Sequence, residues 1–73
     1  MVRREAFINK IRTLRYTYKT QQKRTTLWRQ SGTTNYISVP MRDWLEDEFV
    51  QHSLRQAGCT DEEIASFLAS TKS

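Results

Sequence analysis

The side chains in this chain that could carry acid–base or nucleophilic chemistry are few. There is one histidine, His52, in the run VQHSLRQ, and one cysteine, Cys59, directly after Gly58. Imidazole is the side chain whose ordinary pKa allows proton exchange near neutral pH, so His52 is the one candidate general base. No second histidine accompanies it and no carboxylate stands at a telling spacing, which reads as a solvated or partly packed helix residue rather than a catalyst. Nothing in the sequence supplies a base for Cys59, so a small packing residue is expected there. One cysteine excludes an internal disulfide and a cysteine-based zinc site, and no cofactor or metal is expected. Asp43, Glu46, Asp47 and Glu48 invite a metal or acid–base reading. All four open a helix, where the dipole and unpaired amides favour acids, and capping accounts for them.

Electrostatic chemistry is better represented. Residues 1–42 carry ten Lys and Arg against one carboxylate, Glu5; residues 43–73 carry two cations against seven acids. The net charge of +4 therefore hides a basic portion of +9 and an acidic one of −5. The basic portion suits phosphates or an acidic protein surface; the plainer reading is that it keeps a small domain soluble. Lys19, Lys23, Arg24 and Arg29 gather in and around KRTTLWRQ, with Thr25 and Trp28 among them. Arg3, Arg4, Lys10, Arg12 and Arg15 lie on the segment before. If the two sets lie side by side they make a surface that tracks a phosphate backbone.

These side chains must be positioned by one small domain, residues 1–73, because a chain this short buries only about 60% of its unfolded surface. Phe7, Ile8, Ile11 and Leu14 recur at helical spacing over residues 3–14. YTYKTQ, residues 16–21, alternates aromatic and β-branched residues and reads as a strand. RTTLWRQ, residues 24–30, reads as a second. Gly32 and Asn35 supply a turn with positive φ, and NYISVP is a third strand that Pro40 ends. The helical period then returns. Asp43 with Glu46 fits a capping box, and Leu45, Phe49, Val50, Leu54 and Ala57 form an apolar stripe up to Gly58. Thr60 with Glu63 is a second capping box, opening a short helix with Ile64, Phe67 and Leu68 on one side. Only the first two residues and the STKS tail carry no element signal, and fraying is expected there.

The order is helix, three strands, helix, helix: an α+β domain with a three-stranded antiparallel sheet and its helices on one face. The expected core is Phe7, Ile8, Ile11, Leu14, Ile37, Val39, Phe49, Val50, Leu54 and Phe67. If the register implied by the turn holds, Trp28 and Tyr36 share the open face, where aromatics among cations stack on bases. A register shifted by one residue reverses this and makes Trp28 a core anchor.

This layout is that of the double-stranded-RNA-binding fold, and the chain resembles one family that shares it, the HicA-like (YcfA-like) toxins of bacterial toxin–antitoxin pairs. That family ends its first helix in a leucine–glycine–aromatic turn, where this chain has Leu14–Arg15–Tyr16. A valine–proline pair closes its third strand, as Val39–Pro40 does here. Its second helix ends in a run like Leu54–Arg55–Gln56–Ala57–Gly58, and a short acidic helix follows, like Asp61–Glu62–Glu63. The resemblance covers most of the chain and implies RNA as a partner, through Lys19, Lys23, Arg24, Thr25, Trp28 and Arg29, and pairing with an antitoxin-like protein. It also implies ribonuclease chemistry centred on a glycine–serine–histidine motif. At those places this chain has Lys23, Arg24 and Thr25, and a threonine hydroxyl cannot exchange protons near neutral pH. The expectation is a HicA-like domain that binds RNA or an antitoxin-like partner without cutting. The alternatives are an active ribonuclease with another proton carrier, and a protein-interaction module with a basic face. No apolar run approaches membrane-spanning length and no secretory signal is read at the N-terminus. With one cysteine, a reducing compartment, and so the cytoplasm, is expected.

Overall fold

The computed structural model describes residues 1–71. In chain order the elements are β1 (Val2–Arg3), α1 (Arg4–Thr13), β2 (Tyr16–Gln21), β3 (Thr25–Gln30), β4 (Tyr36–Pro40), β5 (Trp44–Leu45), α2 (Asp47–Gln56) and α3 (Asp61–Thr71). β2, β3 and β4 form an antiparallel sheet in that order, and β1 pairs with β5 in a separate two-stranded ribbon. The α+β architecture and the helix–three strands–helix–helix order are those the sequence predicts.

The register decides which sheet face meets the helices. Trp28 stands opposite Ile37, Thr26 opposite Val39 and Arg29 opposite Tyr36. Residues directly opposite one another point to the same face. Trp28 therefore belongs with Ile37 and Val39 on the covered face, and Tyr36 with Arg29 on the open one. This corrects the pairing of Trp28 with Tyr36. Its cause is loop length: Gln30 N donates to Asn35 O at 3.0 Å, which leaves four residues in the connection. A connection one residue longer or shorter would exchange the faces. Gly32 takes φ +78° in this connection, but Asn35 does not adopt positive φ; its Nδ2 donates to Gln30 Oε1 at 3.0 Å.

The core lies between the covered face and the three helices. Phe7 and Ile11 from α1, Val50 and Leu54 from α2 and Ile64 from α3 close on Tyr16, Trp28, Ile37 and Val39. Ile8, Leu14, Phe49 and Phe67, expected inside, are only partly buried at its rim. Val2, Tyr16, Trp28, Leu45 and Ile64 complete the interior that the expected core list lacks. Cys59 is also buried, as a packing residue.

The ends of the chain are more ordered than the composition suggests. Val2 is 1% exposed and pairs with Leu45, so the N-terminus is anchored, not frayed. Ser70 and Thr71 extend α3; Lys72 and Ser73 of the expected frayed tail lie outside the described residues. The ribbon also displaces the first capping box. Asp43 lies before β5, and its carbonyl accepts from Arg4 N at 2.9 Å. Glu46 caps α2 without a side-chain hydrogen bond, and Leu45 is a strand residue, not the start of the helical stripe. The second capping box is present: Glu63 N donates to Thr60 Oγ1 at 3.1 Å, and Thr60 N to Glu63 Oε1 at 2.9 Å.

Candidate functional site

The β2–β3 hairpin carries the six residues singled out in and around KRTTLWRQ, and it does not bring them all together. β2 contains an irregularity between Tyr18 and Thr20, where Tyr18 faces Trp28 but Thr20 faces Leu27. Lys19 is the extra residue of this bulge, and it is exposed. A bulge with a lysine on an edge strand both twists the strand and blocks pairing with another chain. Lys23 and Arg24 form the exposed tip. Gln22 N donates to Thr25 O at 2.8 Å and closes it. Thr25 is half-buried, with its hydroxyl 3.5 Å from Gln22 Oε1.

Arg29 is four residues further along β3, about 13 Å from Thr25 at strand spacing. It is half-buried on the open face, and its Nε donates to Thr33 O at 3.0 Å. Trp28 is 4% exposed, and its Nε1 donates to the buried Thr26 hydroxyl at 3.0 Å. Burial leaves its ring no open face for a base, so its place among the RNA-contacting residues is withdrawn. The plainer alternative, a tryptophan that anchors packing, is the one realised.

The cations of the first helical segment also divide. Arg4 is part of the scaffold: Nε donates to Pro40 O and Nη2 to Thr26 Oγ1, both at 3.0 Å. Lys10 turns toward α3, with Nζ 5.9 Å from the Phe67 ring centre. Arg12 lies 5.6 Å from the Trp28 ring centre, on the covered side of the sheet. Arg15 is exposed and held at φ +73° between α1 and β2. The two sets therefore do not merge into one continuous stripe. The compact group is Lys19, Lys23 and Arg24 at one end of the hairpin.

Charge neutralisation is sparse. Among the described residues the ion pairs are Arg55 Nη2 to Asp61 Oδ1 and the terminal amine to Asp47 Oδ1, each at 3.1 Å. Among the described residues, none of the ten side-chain cations in residues 1–42 makes an ion pair with a carboxylate.

His52 is exposed on α2. It lines two shallow clefts, one with Arg55 and Gln56 and the other with Glu46, Glu48, Phe49, Gln51 and Arg55. No residue of the three-stranded sheet shares either cleft, so His52 and Thr25 do not form one site. Among the described residues no three His, Cys, Asp or Glu side chains gather as metal ligands. Burial pushes the Cys59 thiol up from its ordinary value; Glu63 adds to this and Lys10 opposes it. A protonated, enclosed thiol is a poor nucleophile. Burial also raises the Tyr16 hydroxyl, with Cys59 contributing, and that hydroxyl has no hydrogen-bond partner among the described residues.

A second surface went unread in the sequence. Trp44 is 44% exposed, and the Arg3 guanidinium lies 5.0 Å from its ring centre. Pro40, Arg42, Trp44, Leu45, Glu46 and Phe49 line an open cleft of about 170 Å³. The β1–β5 pairing assembles this cleft, so the run VPMRDW alone did not show it. Among the described residues no helix is long and apolar enough to cross a membrane. No family model, curated protein or solved structure matches the chain.

Proposed function

We propose that this chain is a small RNA-binding domain, a HicA-like relative that holds RNA without cutting it. The observation that carries this reading is the basic portion: ten side-chain cations in residues 1–42, none in an ion pair with a carboxylate among the described residues. Cations left unpaired retain counterions that a phosphate backbone displaces, and that release drives binding. Lys19, Lys23 and Arg24 are the phosphate-contacting group, presented on the β2–β3 hairpin. Thr25, at the place of the family's motif histidine, is hydrogen-bonded to Gln22 and has no imidazole near it. Its hydroxyl supplies no proton carrier.

The test is RNA and DNA binding across a salt series, with degradation followed in the same tubes. Affinity falls steeply as salt rises. Lys23→Ala together with Arg24→Ala weakens binding and lowers the salt slope by roughly two. The RNA stays intact throughout. Steady RNA decay that His52→Ala abolishes would replace this reading with that of an active ribonuclease. Failure to retain any RNA at low salt would assign the cations to an acidic protein partner of the antitoxin kind.

A further inference from the structure

We propose that the cleft beside Trp44 receives a single unpaired nucleobase, so that the preferred RNA presents a loop, bulge or single strand at the basic hairpin tip. The inference rests on the RNA-binding reading and names the class of RNA. Trp44 stands on the two-residue strand β5, held by its pairing with β1. The Arg3 guanidinium lies over its ring at 5.0 Å, and the ring also lines the cleft with Pro40, Leu45 and Phe49. An exposed indole with apolar walls beside it is a stacking platform, because every base has a π-face to offer. At about 170 Å³ the cleft is smaller than the roughly 300–1,000 Å³ of pockets that enclose drug-sized ligands, and it suits one planar ring.

Position and charge favour RNA over other occupants. Met41 N donates to Arg24 O at 2.9 Å, so the segment leading to Trp44 is bonded directly to the basic tip. Arg42 lines the cleft, and the backbone bond from Met41 ties the cleft segment to Arg24, so phosphates flanking a bound base have cations to meet. The lining has one carboxylate, Glu46. It disfavours a phosphate inside the cleft and can accept from a base amino group. Bases of a continuous duplex are stacked and cannot enter; those of loops and bulges can be splayed onto aromatic side chains.

The experiment titrates the whole chain at low salt with a twelve-nucleotide RNA of no internal pairing, and with the same strand annealed to its complement. Tryptophan emission and affinity are both read, and Trp44→Phe identifies the part of the emission that belongs to Trp44. The single strand quenches Trp44 and the duplex does not. Trp44→Ala weakens single-strand binding about 5- to 100-fold, and Trp44→Phe restores most of it. Quenching in the unsubstituted chain needs no variant, so a poorly folded Trp44→Ala does not leave the question open. Equal quenching by the duplex overturns the inference. So does unchanged affinity in Trp44→Ala while Lys23→Ala with Arg24→Ala still weakens binding; that result leaves the RNA-binding reading standing. Absence of any binding overturns both. Two other outcomes overturn the base site alone: a dimer without RNA that Trp44→Ala converts to monomer, or a polyglutamate peptide that quenches Trp44 as RNA does.

Discussion

The two tryptophans have the same chemical company and opposite placements. Each has a guanidinium within 6 Å of its ring, Arg12 for Trp28 and Arg3 for Trp44. Trp28 sits mid-strand in a three-stranded sheet, opposite Ile37, with its indole N–H satisfied by Thr26. Trp44 sits on a two-residue strand at the surface and is 44% exposed. Residue type and neighbouring charge do not distinguish a packing anchor from a recognition platform. The number of strands that bury the position does.

The largest expected effect tests that contrast. Trp28→Ala removes a buried ring whose loss costs about 3–5 kcal/mol. A chain of this length has roughly 4–11 kcal/mol in total, so the variant is largely unfolded or melts far below the parent. Trp44→Ala loses part of a half-exposed ring and a surface cation–π contact, about 1 kcal/mol. Thermal unfolding followed by circular dichroism measures both. Equal losses would show that the β1–β5 ribbon is as much a part of the core as the sheet, and would break the contrast.

A second contrast sets the two left-handed helix ends against each other. α2 ends with Gly58 at φ +98°, and α1 is followed by Arg15 at φ +73°. Glycine adopts that region at no steric cost, whereas an L side chain pays about 1 kcal/mol there. Arg15→Gly therefore raises stability by about 1 kcal/mol, or about 4–8 °C in Tm for a domain this small. Among the described residues the exposed Arg15 side chain makes no hydrogen bond or ion pair that would offset this. A fall in Tm would mean that the arginine stabilises the α1–β2 junction in a way its geometry does not reveal.

How much of this could be read in advance follows from what each element depends on. α1 and β2 were legible because each carries its own periodicity; β2 begins and ends where YTYKTQ does. The capping box of Thr60 and Glu63 was legible because four consecutive residues contain the whole motif. The same pattern at Asp43 and Glu46 misled, since a bend tied to Arg4 N satisfies it as well as a helix start. The β1–β5 ribbon left no signal, because two residues define no period and the pairing spans the chain from Val2 to Leu45. Leu45 also fits the helical spacing of Phe49, which hid it. The face taken by Trp28 depended on whether a connection held an even or odd number of residues, and composition does not fix that. The basic tip was legible as charge. The neighbouring Trp44 cleft was not, since it is assembled by the ribbon.

The smallest effect separates the two acidic helix starts, and its readout is pH. Glu63 caps α3 through reciprocal bonds with Thr60, and hydrogen bonds from the Thr60 amide, then its hydroxyl, hold the Glu63 carboxyl below its ordinary value. A carboxyl lowered in the folded state contributes stability while ionised, above its unfolded pKa. That contribution is lost as pH falls through the folded value. Glu46 caps α2 with no side-chain hydrogen bond, so it has no such bond to lose. Glu63→Gln keeps an acceptor for the Thr60 amide but removes the titration. The variant should therefore melt slightly below the parent at neutral pH, lose less Tm on acidification from pH 6 to about pH 3, and converge with the parent at the acid end. Glu46→Gln, which removes no side-chain cap bond, is the control. Melting curves across that range test the pair. Equal flattening in both variants would mean that acid sensitivity comes from general charge repulsion, with the capping geometry at α3 contributing nothing of its own.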